Sequence, residues 1–546
     1  MKNAETKTKS VSRFFILHSA FCILLTAVAV SAAPAGATKP NFVIILADDM
    51  GFSDAGCYGG EIRTPNLDRL AYNGLRFTQF YNTARCWPTR SSLLTGYYAQ
   101  QIGMDPPKGK LPQWTRVLPH YLKPQGYRCY HSGKWHLMGA PKSVADGGFD
   151  HSYRFEDWDR YFLPSRHFED DVKLPAVKPD SGYYATTAFA DHAIGYLKDH
   201  ASNHAGEPFF LYLAFISPHF PLHALPEDIA RYRDRYLEGW DKIREQRWER
   251  IRKMGLLDCA LPPLDPQFTP RYFKPEVMET LGPGEVAHPV AWNTLTDEQK
   301  RFQATKMAIH AAMVDRMDRE IGRVVEQLKS MGALDNTVIF FLSDNGADAT
   351  VMVRGEGHDR NAPAGSWKSF LCMGPGWAST SNTPFRWHKI WTHEGGISTP
   401  LIVQWPKGIA ARGEFRHDPG HVIDFVPTLL ELSGAHFTNS WNGATAPALP
   451  GRSLLPAFRG DRGVNHDFLF FDHEGNRALR VGDWKIVSAK EKEGQWELYN
   501  LGKDRSEMKN LAEQEPQRVQ AMGLRWTELE RTFRAQYSPR AAGNER

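Results

Sequence analysis

Apolar residues in this chain fall into short continuous runs, and several of those runs stop abruptly at polar or acidic residues. Asn41 to Leu46 is an apolar, β-branched stretch that ends at Ala47-Asp48-Asp49-Met50-Gly51. Pro208 to Ile216 is a second run, ending at Ser217-Pro218-His219, and Val338 to Leu342 is a third, ending at Ser343-Asp344-Asn345-Gly346. Such runs predict strands buried on both faces. Aromatic alternation from Tyr127 predicts a further strand, which Gly133 opens into a loop, and Pro400 to Trp405 predicts another. Lys306 to Lys329 places Ile309, Met313, Met317, Ile321, Val324, Val325 and Leu328 at helical spacing. Thr64-Pro65-Asn66 opens a helix, and His421 to Leu432 forms one that carries Asp424 and Pro427.

Other stretches lack this patterning. Residues 226–305 read as an insertion, in which Arg231 to Lys253 has helical charge spacing and predicts a solvated face. Phe268, Tyr272 and Phe273 lie in it, and packing on the main domain is their expected role. Val351 to Ser381, rich in glycine, serine and tryptophan, predicts a long loop. Residues 440–462, rich in glycine, proline and alanine, predict a linker. Beyond it come short strands at Phe468–Phe471, Ala478–Val481, Trp484–Val487 and Trp496–Leu501, then an amphipathic helix from Pro516. There is no internal repeat.

The 546 residues are enough for one large α/β domain and a smaller one. A net charge of +4 is too small to argue for a nucleic-acid partner, though it suits an anionic substrate. Lys2, Lys7, Lys9 and Arg13 precede an apolar core from Phe14 to Val30, and small residues at Ser31-Ala32-Ala33 and Ala35-Gly36-Ala37 follow. This predicts a signal peptide over 1–37 and an exported chain, periplasmic or secreted, with no stable membrane span. Cys22 lies in that leader, leaving Cys57, Cys86, Cys129, Cys259 and Cys372, too few for a disulfide scaffold.

Chemistry is expected where strands end. Adjacent carboxylates such as Asp48 and Asp49 repel unless a cation sits between them, and the carboxyl ends of α/β strands are where ligands bind. Asp344 and Asn345 offer oxygen ligands after a second buried strand. Lys134 and His136, two apart on an extended segment, would point the same way towards an oxyanion. In Cys86-Trp87-Pro88-Thr89-Arg90-Ser91-Ser92-Leu93-Leu94-Thr95-Gly96, Pro88 is suited to begin a helix, placing Cys86 just ahead of the N-cap where a thiolate is favoured, with Arg90 able to reach back.

The Cys86–Arg90 run followed by Thr95-Gly96 resembles the C-x-P-x-R signature of the formylglycine-dependent sulfatases, with Tyr97 in place of the usual arginine. Thr64-Pro65-Asn66-Leu67-Asp68, Gly133-Lys134-Trp135-His136, Pro218-His219, Ser343-Asp344-Asn345-Gly346 and Asn382…Arg386…Lys389…Glu394-Gly395-Gly396 resemble further motifs of that family, in the family's order. Gly139 stands one residue late, and His393 replaces a common tyrosine. The resemblance implies an alkaline-phosphatase-like α/β fold: a large mixed sheet between helices, with a smaller C-terminal antiparallel sheet plus helix. It implies a catalytic domain over 38–460 and a small subdomain over 461–546.

It further implies that a formylglycine-generating enzyme oxidises Cys86 to an aldehyde whose hydrate attacks sulfur. Asp48, Asp49, Asp344, Asn345 and residue 86 would hold Ca²⁺, with Mg²⁺ also compatible. Arg90 would orient residue 86. Lys134, His136, His219 and Lys389 would act on the sulfate, and Lys134, His219 and Lys389 would bind it. Asp344 would take the attacking proton and His219 would protonate the leaving oxygen. The implied substrate is a sulfated carbohydrate. The alternatives are an aryl sulfate, a phosphonate monoester or phosphodiester, or non-catalytic binding of sulfated glycans.

Overall fold

The computed structural model describes residues 39–537; the leader expected over 1–37 lies outside them. β1 (Asn41–Ala47) is central because both its faces are apolar. Val43 and Ile45 enter one core layer, while Phe42, Ile44 and Leu46 enter the other. The remaining strands of the main sheet are β2 (Leu75–Tyr81), β3 (Arg128–Lys134), β4 (His151–Phe155), β5 (His167–Glu169), β6 (Val172–Lys173), β7 (Phe209–Ala214), β8 (Thr337–Ser343), β9 (Ser398–Gln404), β10 (Glu414–Arg416) and β11 (Gly420–His421). Among the described residues they form one mixed sheet in the order β10-β2-β9-β8-β1-β7-β3-β4-β5-β6, with β11 beside β2. The four strands β8, β1, β7 and β3 are mutually parallel, so their carboxyl ends share one edge.

Helices cover both faces. Ala185–Asn203 and Asp297–Ser330 pack on the Val43 side, and Cys86–Thr95 and Phe425–Ser433 on the Phe42 side. The helix predicted over 306–329 begins earlier, at Asp297, because Thr296 and Gln299 form a capping box of 3.0 and 3.2 Å bonds. The insertion boundary expected at residue 305 therefore falls inside a helix. The loop predicted over 351–381 closes in a helix, Pro375–Ser381, with Pro375 at its first position. The expected linker carries a hairpin, β12 (Ser440–Trp441) with β13 (Ala444–Thr445), and a turn of helix at Leu455–Arg459.

β14 (Leu469–His473), β15 (Asn476–Val481), β16 (Trp484–Ser488) and β17 (Glu497–Asn500) form the small antiparallel sheet, and the helix Pro516–Tyr537 packs Trp526 and Phe533 on Phe470. A buried charge network joins this sheet to the main one. Lys485 on β16 bonds both Glu394 and Glu507 at 2.8 Å, and Glu394 also accepts from Tyr81 (3.0 Å) and Ser398 (2.8 Å) and pairs with Arg505. All five described cysteines are free thiols, and no described helix is long and apolar enough to cross a membrane.

The arginine-rich helix Gly239–Lys253 departs from its expected solvated state. Arg247 is fully buried; it meets Asp54 at 2.7 Å and both oxygens of Glu61 at 2.8 Å. His310 adds a 3.0 Å contact to Asp54. Burial would raise the Glu61 carboxyl, but Arg247 outweighs it and holds it below the usual range. Breaking a buried ion pair by removing one partner costs about 3–5 kcal/mol. Chemical denaturation of Arg247→Met is therefore expected to show a loss of that order, and a loss below about 1 kcal/mol would return this helix to the surface role its charge pattern suggests.

Candidate active site

Strand register assembles the first part of the site. Ala47 lies opposite Ser343, so Asp48-Asp49 and Asp344-Asn345 leave the sheet side by side. β7 and β3 follow on the other side of β1, bringing His219 and Lys134 to the same edge. The helix Cys86–Thr95 begins two residues before the position expected from Pro88: extended Arg85 (φ −150°) is the N-cap and Cys86 is the first helical residue. Pro88 still fits, because N–H groups in the first turn have no intrahelical acceptor. Cys86 is 4% exposed. Ligand atoms of Asp48, Cys86 and Asp344 lie within 4.8 Å of one another, as do those of Asp48, Asp49 and His219.

Fixed cations thread this cluster. Lys134 donates to Asp48 Oδ2 at 2.5 Å. Arg90 donates from Nε (2.9 Å) to Asp344 Oδ2, lies 2.8 Å from it through Nη2, approaches Asp48 at 3.4 Å and bonds the Lys134 carbonyl at 3.0 Å. Its hydrogen bonds thus go to the carboxylates that surround residue 86. Lys389 lies 2.7 and 2.9 Å from the two Asp49 oxygens and 3.3 Å from Asp348. Asn345 Nδ2 donates to Asp49 at 2.6 Å. All ten residues singled out in the sequence therefore meet in one place, with His136 at its margin.

Two buried acceptors, Asp48 Oδ1 and Asn345 Oδ1, have no hydrogen-bond partner. Leaving such atoms bare costs free energy, and a hard cation coordinated by carboxylate and amide oxygens satisfies them. The donor set fits a divalent ion. Charge states agree. Burial pushes Asp344 up to about 7, reinforced by Asp48 against the pull of Arg90. Burial likewise raises Asp49. For Asp48 burial acts the same way, but Lys134 and then Arg90 outweigh it and hold the carboxyl low. The Cys86 thiol, which burial alone would raise, is lowered by Lys134 and Lys389. Burial, then Lys389 and Lys134, depress His219, whose Nδ1 faces the Phe220 carbonyl at 2.5 Å and whose Nε2 lies 3.7 Å from Asp49.

His136 corrects one expectation. Its φ of 51° turns the chain, so it does not extend in parallel with Lys134. Its ring instead lies against Trp158 at 3.9 Å, the same indole that Lys134 Nζ overlies at 4.9 Å. Burial and then Lys134 depress the imidazole. Three neighbours went unflagged in the sequence: Trp158, Asp348 and Arg85. Asp348 follows Ser343-Asp344-Asn345-Gly346 by two residues, which was a usable signal; Arg85 adjoins Cys86. Phe268 packs as expected, on Trp387, His388 and Trp391. Tyr272 does not: it is 45% exposed and stands beside Arg85. His393 is structural, stacked on Trp387 at 4.8 Å and 3.4 Å from Glu497. Tyr97, in the usual arginine position, donates to the Pro447 carbonyl at 2.6 Å.

A covered mixed sheet with a buried cysteine, an oxygen-rich cluster and fixed cations at the carboxyl edge is an arrangement suited to an enzyme acting on an oxyanion ester. A family model described as Sulfatase matches residues 40–435, and one described as N-sulphoglucosamine sulphohydrolase, C-terminal, matches 385–532. The chain belongs to the sulfatase family, the sulfuric ester hydrolases. It is 33% identical over 533 residues to an uncharacterized sulfatase of Schizosaccharomyces pombe, covering 88% of this chain and 91% of the relative. It is 32% identical over 456 residues to an arylsulfatase of Klebsiella aerogenes, covering 76% and 90%. Ps i-CgsB, solved with k-i-k-neocarrahexaose, superposes with a TM-score of 0.65 at 23% identity, covering 92% of this chain and 94% of that one. These neighbours share the alkaline-phosphatase-like fold.

The raised Asp344 carboxyl makes a pH prediction. A folded-state value near 7 lies above the unfolded value, so the folded chain binds this proton more tightly. Its stabilising contribution is complete below about pH 4 and is lost as pH rises through 7. In chelator, wild-type stability measured against Asp344→Asn is therefore expected to fall by a few kcal/mol between pH 5 and 8. A flat difference would show that Asp344 is ionised throughout.

Proposed function

We propose that this sulfatase removes sulfate from a carbohydrate ester, with residue 86 as nucleophile. The carrying observation is the convergence of Cys86, Asp48 and Asp344 beneath Arg90, Lys134 and Lys389. Converted to formylglycine by a generating enzyme, residue 86 supplies a hydrated aldehyde as nucleophile. Asp48, Asp49, Asp344, Asn345 and residue 86 would hold a divalent cation, Ca²⁺ by preference, which lowers the nucleophile's pKa.

The other residues act directly. Lys134 and Lys389 offset the charge on the non-bridging sulfate oxygens, in a site dry enough for that charge to matter. His136, packed against Trp158 at the margin of the site, acts on the sulfate from the edge of the cluster. Arg90 sets the position of residue 86 by fixing the carboxylates around it. Asp344 takes the attacking hydroxyl's proton. His219 holds one proton at Nδ1 against the Phe220 carbonyl, which leaves Nε2 for the leaving oxygen. An anionic substrate beside it opposes the depressing effect of Lys389 and Lys134 and favours the charged acid form.

A saccharide substrate is supported by the rim. Phe220 stacks on His219 at 4.3 Å, and beyond it opens a cavity of about 250 Å³ lined by aromatic and polar groups, among them Phe370, Trp367, Arg354 and Asp159. Rings flanked by hydrogen-bonding side chains suit a sugar. Neither this cavity nor a larger one of about 630 Å³, lined by Arg480 and Arg505, contains any of the ten site residues; the smaller one adjoins the site through Phe370, whose ring lies 6.2 Å from that of Phe220. One structural neighbour was solved with its substrate D-glucosamine-2-N,6-O-disulfate. We also read the chain as exported, periplasmic or secreted, from its apolar leader, with a catalytic domain over 38–460 and a subdomain over 461–546.

Sulfate release from defined sulfated saccharides, an aryl sulfate and a matched phosphodiester tests the reading, together with mass spectrometry of the peptide holding residue 86. An aldehyde there and saccharide desulfation are expected, with Cys86→Ala losing more than about a thousandfold in kcat. EDTA should abolish turnover and lower the melting temperature, and Ca²⁺ at a hundred times Kd should restore about 2.7 kcal/mol. Faster phosphodiester cleavage, or an unmodified thiol in an active enzyme, would overturn the assignment.

A further inference from the structure

Arg90, Lys134 and Lys389 are each committed to a carboxylate. Arg85, directly before the nucleophile position, is not. Its Nε and Nη1 are buried without a hydrogen-bond partner, and among the described residues it has no ion-pair partner within 4.0 Å. Arg354, across the site over Phe220, differs in being paired with Asp159 at 3.3 Å. Arg85 is instead held by rings: its guanidinium carbon lies 4.9 Å from the Trp87 ring centre and 5.7 Å from that of Tyr272. Tyr272 is anchored in turn, donating its hydroxyl to Glu474 at 2.6 Å.

The Nε and Nη1 edge of the guanidinium is left without an acceptor, although the Tyr272 hydroxyl also meets the group and Asp348 and Glu474 lie near enough to favour its charge. That edge matches a carboxylate or a sulfate, both of which accept two parallel hydrogen bonds. Arg85 is half-buried, but its two buried, unused donors cost free energy, and an anionic ligand group recovers it.

We propose that Arg85 receives a second anionic group of the substrate, a carboxylate or a further sulfate borne by the saccharide that carries the scissile ester. This rests on the sulfatase reading above. It makes the enzyme selective for substrates charged at two positions.

The test uses the full-length enzyme, with Arg85→Gln and Arg85→Lys, each confirmed by mass spectrometry to carry the aldehyde at residue 86. kcat/KM is measured on three sulfated saccharides: one with a uronate, one with a second sulfate and one with no other charge. Wild type is expected to favour one of the charged pair, which identifies the group. Arg85→Gln should reduce that preference tenfold or more, mainly through KM, and Arg85→Lys should recover part of it. An equal loss on all three substrates would assign Arg85 a merely structural role, and absence of any preference in wild type would also overturn the inference. If aldehyde-bearing wild type hydrolyses no sulfate ester, the sulfatase chemistry itself fails, and this inference with it.

Discussion

Negative charge concentrated at the ends of two neighbouring strands is the constraint around which this molecule is arranged. Asp48, Asp49 and Asp344 are all buried within a few ångströms of one another. Carboxylates so placed repel strongly in a medium of low dielectric. The protein answers with cations from elsewhere in the chain: Arg90 from a helix, Lys134 from β3 and Lys389 from a distant loop. The strand order is what makes this possible, because β8, β1, β7 and β3 present their carboxyl ends together.

The loops around the cluster are pressed together by backbone contacts that admit no side chain. A Cβ on Gly346 would lie 1.8 Å from the Gly395 carbonyl oxygen. Lys389 N–H donates to the Ala347 carbonyl at 3.1 Å, and Ile390 N–H to the Ala84 carbonyl at 2.8 Å. The loop bearing Lys389 is thereby stitched to the loop after β8 and to the segment leading into Cys86. Ile390, a β-branched residue, is held at φ 87° to do this. Left-handed backbone is disfavoured for such a residue and persists where surrounding contacts over-determine it.

Much of this was legible in the chain. Buried parallel strands are continuous apolar runs, so β1, β7 and β8 and the polar residues that end them stood out, and those residues gather in the candidate site. The helix at Cys86 was visible but placed two residues late, since a proline fits any position of the first turn. The turn at His136 was hidden because positive φ is uncommon for any non-glycine residue, even histidine, and nothing local in the sequence marks it. The inward arginine face of Gly239–Lys253 was hidden for another reason: its partners, Asp54 and Glu61, are far away in sequence, and a charge pattern on one helix says nothing about distant counter-charges. Arg85 was passed over because its significance is an absence of partners, which only three dimensions reveal.

Cys86 is buried at the start of a helix, under residues drawn from positions 48 to 389. The loop with Lys389 is clamped in turn by Glu394 to Lys485 and Glu507, near the end of the chain. Were residue 86 converted by a separate enzyme, as proposed, that enzyme would have a deadline: it would meet the side chain only while the polypeptide was still open, before the last-made segment locked the centre shut.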